Sequence, residues 1–410
     1  MDSEASKPFV PPESYDPNSP NELGAPPLPN PPTARISDRA VLQPPLSRRG
    51  TGPGLIVIVP DSSANSSGDD SEKPLDPGPV QKWAEEGFAI AGISVPSDGD
   101  ADLLDEVAAC VDALRNHPSV DTKDKIGLLI CEPESGRQLL SSTSASELAK
   151  LGISCAVTFT GSSTEGASSG AIPLYVHHVG GENMTDSTSN RTVSAYPDCK
   201  PGFILPNSSD YQSGPAGIAH TRSLVFLRKH LGGPTFDLEA IWEEHTYWEF
   251  ERRSVAQTMA TMVAEPYVNH VPTMTGGMGR KNLTAFYRDH FVFCNPPDTK
   301  LNPISRVVGP DRVVGNTIPW LLPNVPPSGQ KLSVPMVAVI NIRGDRLYHE
   351  HIWWDQGTAL RQAGVLPTHV DMPDGRRQRL PVAGVESARL LLHEKGEKSN
   401  EMIAPEWAKQ

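Results

Sequence analysis

The sequence predicts two folded units in series, a doubly wound α/β sheet followed by an α+β unit. Between about residues 49 and 233, short apolar runs alternate with helical patterns, as in parallel sheets covered on both faces. Between about residues 234 and 370, helices come first and strands follow. A Pro-rich segment, 1–48, precedes both units, and a polar tail, 371–410, extends loosely from the second. We expect the Pro-rich segment to be disordered, because it has too few apolar residues to offset its ordering entropy.

The charge balance excludes two classes of partner. The chain has 36 Lys and Arg against 49 Asp and Glu, which gives a net charge of −13. Phosphates of nucleic acid and anionic membrane surfaces repel such a chain, so we expect neither as a partner. No run approaches the ~18 apolar residues of a membrane span. The N-terminus MDSEASKPF lacks the apolar core of a secretory signal, so a cytoplasmic location is expected.

The cysteines are scattered, which argues against zinc and disulfides. None of the five belongs to a CxxC pair: Cys110, Cys131, Cys155, Cys199 and Cys294. An odd, dispersed set of this kind is typical of a reducing compartment. We therefore expect no disulfide framework, no metal and no cofactor.

Strands and helices alternate in the first unit. Five apolar runs are predicted strands: Leu55–Val59, Phe88–Val95, Ile126–Cys131, Ser154–Thr160 and Ile172–Val179. Helices are predicted at Pro79–Glu86, Asp102–Asn116 and near Ser144–Leu151. In Asp102–Asn116 apolar side chains recur at i, i+3 and i+4, so one face of this helix packs on the sheet.

Three stretches of this unit resemble the dienelactone hydrolase branch of the α/β-hydrolases. That family has a nucleophilic Cys, flanked by glycines, on a tight turn after a central strand. Here Leu129–Pro133 (LICEP) occupies that place without the glycines. The family's acid position reads Asn183, with Glu182 beside it, and its His position reads Pro201. The resemblance implies an α/β-hydrolase-like fold in which Cys131 marks a degenerate nucleophile position.

The histidines of the first unit leave two interpretations open. A Cys without a base is mostly thiol at neutral pH and a weak nucleophile. His177, His178 and His220 are candidates for a rearranged base. With such a base, Cys131 would support lactone or ester hydrolysis. If these histidines are packed or surface residues, the site is a relic.

The second unit is predicted to open with helices and close with strands. The helical pattern spans 236–263 and resumes at Lys281–His290. Strands are predicted at Ser305–Val308, Arg312–Val314, Val334–Ile342 and Arg346–Trp354, and a last helix at 359–364. The turn between the last two strands, Arg343–Arg346, has the Gly and Asp of a hairpin.

The motifs of this unit resemble the SnoaL-like division of the nuclear-transport-factor-two-like fold. They are EPYVNHVPTMTGG, RDHFVFCNPPDT and LYHEHIWWDQGTALRQAGVL. They are similar to a subgroup, mostly of filamentous fungi and bacteria, that fuses this domain to a dienelactone-hydrolase-like one. The resemblance implies a cone that encloses a hydrophobic small molecule. It also implies proton-transfer chemistry such as cyclisation, dehydration or isomerisation, although non-catalytic binders share the fold.

The last strand supplies most of the candidate site residues. Because side chains alternate along a strand, His349, His351, Trp353 and Asp355 share one face. We expect this face to carry the acid/base chemistry, through His351 and Asp355, with His270 as their partner. Further pocket residues are expected from both motifs: Tyr267, Asn269, Glu350, Trp353 and Trp354.

Simpler interpretations stand beside this one. The tryptophans would fill the core, and the histidines would lie on the surface or bond to backbone carbonyls. A metal held by His349 and His351 lacks a third ligand, so none is predicted. About one strand of the subgroup's pattern is missing between Val314 and Trp320. A homodimer through the cone is expected from the resemblance, and a scaffold or ligand-binding role remains an alternative to catalysis.

Overall fold

A computed structural model of the chain describes residues 22, 27–61, 74–96, 103–161, 172–180, 187–188, 190–296, 298–315, 322–325, 330–393 and 395–407. The contacts divide the chain into two compact units. Of the described residues, unit 1 comprises those within 28–237 and 343–346, and unit 2 comprises those within 238–342 and 347–407 together with residues 22 and 27. Among the described residues, no helix is long and apolar enough to cross a membrane.

Unit 1 is built on an eight-stranded sheet of order β1-β2-β4-β3-β5-β6-β7-β8. Its strands are β1 (Ala34–Arg35), β2 (Ala40–Gln43), β3 (Gly54–Pro60), β4 (Ala89–Val95), β5 (Ile126–Ile130), β6 (Ile153–Thr160), β7 (Leu174–Val179) and β8 (Arg191–Tyr196). The strands from β4 to β8 in this order pair in parallel, and β2 joins β4 antiparallel. All five residues of β5 are buried, as its continuous apolar run predicts.

Helices cover both faces of this sheet. They are α1 (Pro79–Glu85), α2 (Leu103–Asn116), α3 (Pro133–Leu139), α4 (Ser142–Leu151) and α5 (Ser213–Leu231). Residues of α2, α3 and α4 share one core cluster with Leu128, whereas residues of α1 and α5 share the other with Leu129. Because consecutive residues of β5 face opposite cores, the predicted doubly wound fold is confirmed.

The expectation of disorder throughout residues 1–48 is wrong for part of that segment. Ala34–Arg35 and Ala40–Gln43 form β1 and β2, and the side chains of Ala40 and Leu42 are fully or almost fully buried. The alternating apolar residues of β2 are enough to add a strand at the edge of a sheet that is already formed. Residues 1–21 and 23–26 of the Pro-rich segment lie outside the described residues.

Unit 2 combines helices with a six-stranded sheet of order β10-β9-β14-β13-β12-β11, and the predicted α+β class is confirmed. Its strands are β9 (Met262–His270), β10 (Thr275–Met278), β11 (Val307–Val308), β12 (Arg312–Gly315), β13 (Met336–Arg343) and β14 (Arg346–Trp354). Its helices are α6 (Leu238–Thr246), α7 (Val255–Ala260), α8 (Gly279–Phe286) and α9 (Gln356–Gln362). π-Helical turns extend α6 over Tyr247–Glu251 and α8 over Tyr287–Phe291.

Two further expectations concern the polar tail and the strand missing from the sequence of unit 2. The tail is not a loose extension throughout: β15 (His369–Asp371) pairs with β16 (Arg377–Arg379), and α10 (Val385–Leu392) follows. Its short apolar runs suffice for these small elements. The sequence predicts that one strand of the subgroup's pattern is absent after Val314. In the structure β12 continues to Gly315, and residues 316–321 lie outside the described part of the chain.

Candidate functional site

Burial along β14 identifies the inner face of the unit 2 sheet. The side chains of Glu350, Ile352 and Trp354 are buried, whereas His351 is half-buried and Trp353 is 41% exposed. The register with β9 shifts between Leu347 and His349, before this alternation begins. The inner face therefore carries Glu350 and Trp354, and the expectation that the His351 face points into the site is corrected.

The outer face of the same sheet collects several predicted site residues. The Tyr267 ring lies edge-on to the rings of His349 and His351, with the centroid of His351 5.5 Å away. His351 stacks in turn on Trp353. Asn269 is half-buried and alternates with the buried Val268 and His270. These residues form a surface, which we call the outer aromatic face: Tyr267, Asn269, His349, His351 and Trp353.

Asp355 has a structural role at the start of a helix. It is the N-cap of α9, where its carboxylate accepts hydrogen bonds from the Thr358 backbone N–H at 2.9 Å and the Thr358 hydroxyl at 2.6 Å. A carboxylate at this position satisfies amide groups that the first turn of a helix leaves unpaired. Asp355 thus lies at a helix start, and the structure does not assemble the predicted set of His270, His351 and Asp355.

His270 lies on the inner face, on the opposite side of the sheet from His351. Its ring is surrounded by Phe286, Phe291 and Trp354, at centroid distances of 5.5 to 6.2 Å. The Nδ1–H group donates to the Thr275 carbonyl at 2.9 Å. Burial lowers the pKa of His270 to about 2, so the imidazole is neutral at physiological pH.

A cluster of polar side chains lies inside unit 2, and we call it the inner cluster: His245, Glu249, Tyr287 and Glu350. His245 Nε2 is 3.1 Å from Glu249 Oε1 and 3.2 Å from Glu350 Oε1. The Tyr287 hydroxyl lies 3.5 Å from His245 Nε2. All four side chains are buried. Both π-helical turns contribute to it, and such turns are frequent at functional sites.

The hydrogen bonds of His245 fix its orientation. Thr261 donates its hydroxyl proton to the Thr258 carbonyl at 2.6 Å, so its oxygen is the acceptor for the Nδ1–H of His245, also at 2.6 Å. With Nδ1 committed in this way, Nε2 is the atom that faces the carboxylates of Glu249 and Glu350. The hydrogen bond at Nδ1 therefore orients the ring so that Nε2 points into the cluster.

Burial and mutual charge shift the pKa values of His245, Tyr287 and Glu350. Burial alone lowers the pKa of His245, but the carboxylates of Glu249 and Glu350 outweigh it and raise that pKa to about 10. Burial raises the pKa of Glu350 despite the opposing charge of His245. Burial and the two carboxylates raise the pKa of Tyr287 well above its ordinary value. Strongly perturbed groups gathered in one interior are a signature of functional sites.

The sequence carried a partial signal for this cluster. His245 and Glu249 are spaced i, i+4 on the first predicted helix, and this spacing places them on one helix face. The sequence predicts Glu350 as a pocket residue, but it places the acid/base chemistry on the opposite face of the strand. Tyr287 lies in a predicted helix, 42 positions from His245, and nothing local marks its hydroxyl as part of a site.

Unit 1 has a pocket of its own at the carboxyl end of β5. The pocket holds about 370 Å³ of empty space that includes open solvent. Its polar lining residues are Lys82, Cys131, His220 and Ser223, among apolar residues that include Trp83 and Phe159. The carboxyl ends of parallel strands are the usual place for ligands in open α/β sheets. The structure therefore places the predicted nucleophile position in a pocket.

The groups near Cys131 make an incomplete catalytic set. Burial raises the pKa of Cys131 to about 12, against the opposing charge of Lys82. His220 Nε2 lies 2.8 Å from Glu86 Oε1, so a helix-borne His–Glu pair borders the same pocket. Burial lowers the pKa of His220. A thiol with so high a pKa is inert until a ligand or base changes its surroundings.

His177 contacts the pocket residues Ser223 and Phe159, but its hydrogen bonds are structural. His177 Nε2 is 2.9 Å from Ser223 Oγ, and Ser223 donates its own proton to the Ala219 carbonyl at 2.8 Å. His177 therefore donates through Nε2, and its Nδ1 accepts from the Tyr196 hydroxyl at 3.1 Å. Burial lowers the pKa of His177 to about 3. Ser223 is thus not an activated nucleophile, and the family's acid position, Asn183, lies outside the described residues.

Comparison with known proteins finds similar folds and no similar sequences. No protein family's sequence profile matches the chain, and no curated protein matches it by sequence. A protein from Klebsiella pneumoniae assigned as a dienelactone hydrolase is 11% identical, with a TM-score of 0.32 over 46% of this chain and 92% of its own. A protein from Jannaschia assigned as a SnoaL-like polyketide cyclase is 19% identical, with a TM-score of 0.24 over 33% of this chain and 99% of its own.

A third structure is also similar to part of the chain. It is a protein from Kribbella flavida assigned as a ketosteroid isomerase, 13% identical, with a TM-score of 0.20 over 28% of this chain and 75% of its own. The chain is thus similar in structure to α/β-hydrolases of the dienelactone hydrolase and esterase type, and to NTF2-like, SnoaL-like and ketosteroid isomerase-like proteins. At these identities the similarity concerns the fold.

Proposed function

We propose that unit 2 catalyses an acid/base conversion of a hydrophobic small molecule, by cyclisation, dehydration or isomerisation, in secondary or aromatic-compound metabolism. The observation that carries the proposal is the inner cluster of two carboxylates, an imidazole and a phenol, set in an aromatic interior. Phe286, Phe291 and Trp354 supply apolar surface beside it. An apolar site with a few convergent polar groups suits an apolar substrate with one reacting oxygen.

Tyr287 is the group that we place against the substrate. Its hydroxyl lies 3.5 Å from His245 Nε2 within the inner cluster, and the centroid of its ring is 5.2 Å from that of Phe291. A phenol in this position donates a hydrogen bond to a substrate oxygen as negative charge develops there. A carboxylate of the inner cluster takes the proton from the carbon beside the substrate's carbonyl group, and the same carboxylic acid later returns a proton to the product. A positioned acid or base of this kind contributes about 10²- to 10⁴-fold to a rate.

The test is exchange of a substrate proton with solvent. The full chain is screened by thermal shift against aromatic lactones, polyketide fragments and phenolic acids. Compounds that bind are then incubated in D₂O, and deuterium uptake next to their carbonyl groups is followed by NMR. We expect uptake with the wild-type chain and with His351→Ala, which alters the outer aromatic face, and a large loss with Glu350→Gln. Binding without uptake would support a non-catalytic ligand-binding role instead.

We propose a second copy of the chain as the partner of unit 2. The outer aromatic face exposes 41% of Trp353, and the neighbouring β13 exposes 49% of Val337. Exposed apolar side chains gathered on one sheet face are typical of protein interfaces. A second copy would cover both in a symmetric dimer, since the same face on each copy is self-complementary.

A second candidate function is hydrolysis of a lactone or ester in unit 1. The observation that favours it is the pocket that Cys131 shares with the His220–Glu86 pair. His220 would then take the place of the base that Pro201 replaces. The test is hydrolysis of a chromogenic ester by the wild-type chain, Cys131→Ala and His220→Gln. Equal rates in all three would exclude this function.

A further inference from the structure

Three potential metal ligands converge inside unit 2 from different elements. His245 comes from α6, Glu249 from the π-helical turn after it, and Glu350 from β14. One ligand atom from each lies within 4.8 Å of the others, and all three residues are buried. The carboxylate oxygens of Glu249 and Glu350 lie 3.1 and 3.2 Å from His245 Nε2. Such spacings are close to those between neighbouring ligands around one ion bound at about 2.0 to 2.2 Å.

Hydrogen bonding leaves the ligand atoms turned toward one another. Thr261 accepts the Nδ1–H of His245, so Nε2 is the nitrogen that points at the carboxylates, and it presents a lone pair to them once its proton leaves. Glu350 Oε1 is buried and accepts no well-directed hydrogen bond, although it lies 3.2 Å from Nε2. Three electron-rich atoms that face one point repel each other unless a cation lies between them.

The strongest electrostatic influences on the inner cluster come from within it. The ionisable groups that act most strongly on His245 and Glu350 are each other, Glu249 and Tyr287, and none of these is Lys or Arg. Two buried carboxylates beside a neutral imidazole carry a charge of −2. A divalent ion cancels that charge, whereas a single proton on His245 cancels half of it.

We propose that His245, Glu249 and Glu350 bind a divalent first-row transition-metal ion, with Zn²⁺ and Mn²⁺ as the chemical class. One imidazole and two carboxylates form a mixed nitrogen and oxygen set that such ions accept. The Thr261 hydroxyl acts as the outer partner that orients His245. Three protein ligands leave a position open for a substrate oxygen, beside the Tyr287 hydroxyl. This inference rests on the proposed function for the identity of that substrate, but metal binding itself does not.

The experiment measures metal content and does not depend on activity. The full chain is stripped with EDTA and dialysed. It is then loaded with Zn²⁺, Mn²⁺, Co²⁺ or Mg²⁺, and bound metal is measured by mass spectrometry. We expect about one equivalent of Zn²⁺ or Mn²⁺ per chain and little Mg²⁺. Co²⁺ should give visible absorption bands characteristic of nitrogen and oxygen ligands.

Matched variants locate the site. Glu249→Gln and Glu350→Gln should each lose tenfold or more in affinity, the effect of weakening a ligand shell. Glu265→Gln changes an exposed carboxylate on β9 and should bind metal like the wild type. A wild-type chain that retains no metal and gives no Co²⁺ spectrum would overturn the proposal, whatever the variants do. Unchanged binding in both folded variants would also overturn it.

Failure of this inference and failure of the proposed function give different results. Metal bound at the expected ligands without deuterium uptake would keep the metal site and remove the acid/base function. Deuterium uptake by a chain that binds no metal would do the reverse, and would leave a proton as the cation of the inner cluster.

Discussion

His270 in unit 2 and His177 in unit 1 are both buried and neutral, because burial is the largest influence on each. His245 is equally buried, but it faces two carboxylates and is therefore shifted the other way. Chemical capacity thus follows from the neighbours of a residue, and not from its type. A sequence shows twelve histidines that look alike, whereas the structure separates them by these surroundings.

The neutral state of His270 predicts a stability that depends on pH. Its folded pKa of about 2 lies below its ordinary 6.5, so the unfolded chain takes up more protons between these values. Stability is therefore fully present above about pH 6.5 and is lost as the pH falls, by up to about 1.4 kcal/mol per pH unit. Between about pH 7 and pH 5, His270→Gln should lose about 2 kcal/mol less than wild type in urea unfolding. An equal loss in both would contradict a buried neutral His270.

Cys131 is predicted to be unreactive. Burial raises its pKa to about 12, so at neutral pH it holds about 10³-fold less thiolate than a free Cys with a pKa of about 8.5. Iodoacetamide should therefore modify the exposed Cys294 long before Cys131, as peptide mapping by mass spectrometry would show. Faster modification of Cys131 would contradict this account and favour hydrolysis in unit 1.

At the scale of elements, most strands and helices follow from local patterns, but β9 and β10 were not predicted, and the choice of strand face does not follow from local patterns. Alternation along β14 defines two sets of residues, and both contain candidates for acid/base chemistry. Which set faces inward depends on what packs against the sheet, and α6 and α8 supply that packing from distant sequence. The sequence therefore predicts Glu350 as a pocket residue but cannot bring His245 and Tyr287 to it. Convergence of this kind is a tertiary property.

The start of α9 gives a prediction that separates a structural role from a catalytic one. Asp355 caps this helix through Thr358. Asp355→Ala should lower the free energy of unfolding by about 1 kcal/mol, the usual value of an N-cap, whereas Asp355→Ser should retain most of it. Neither variant should change deuterium uptake by the folded chain. Loss of uptake in both would restore the catalytic role predicted for Asp355 from the sequence.

At the scale of the whole molecule, the outer aromatic face predicts association between copies. Trp353→Glu places a charge in the middle of this face and should convert a dimer to a monomer, as light scattering after size exclusion would show. Met274→Glu serves as the control, because Met274 is 88% exposed in the turn between β9 and β10. A wild-type chain that is monomeric at high concentration would contradict the dimer.

The chain has two separate candidate sites, one in each unit, and they differ in how well their polar groups suit catalysis. The pocket of unit 1 includes open solvent, but burial raises the pKa of its Cys131 thiol to about 12. In unit 2 the imidazole, the two carboxylates and the phenol of the inner cluster are buried together. This difference supports the proposal that the chemistry of this protein takes place in unit 2.

The most direct test of that claim compares two tyrosines. Tyr287→Phe removes one hydroxyl from the inner cluster, and Tyr348→Phe removes one from half-buried Tyr348 on β14. With a compound that the wild-type chain deuterates, Tyr287→Phe should lower the exchange rate by about 10²-fold or more, and Tyr348→Phe should leave it unchanged. Equal rates in both variants would contradict the assignment of acid/base chemistry to the inner cluster.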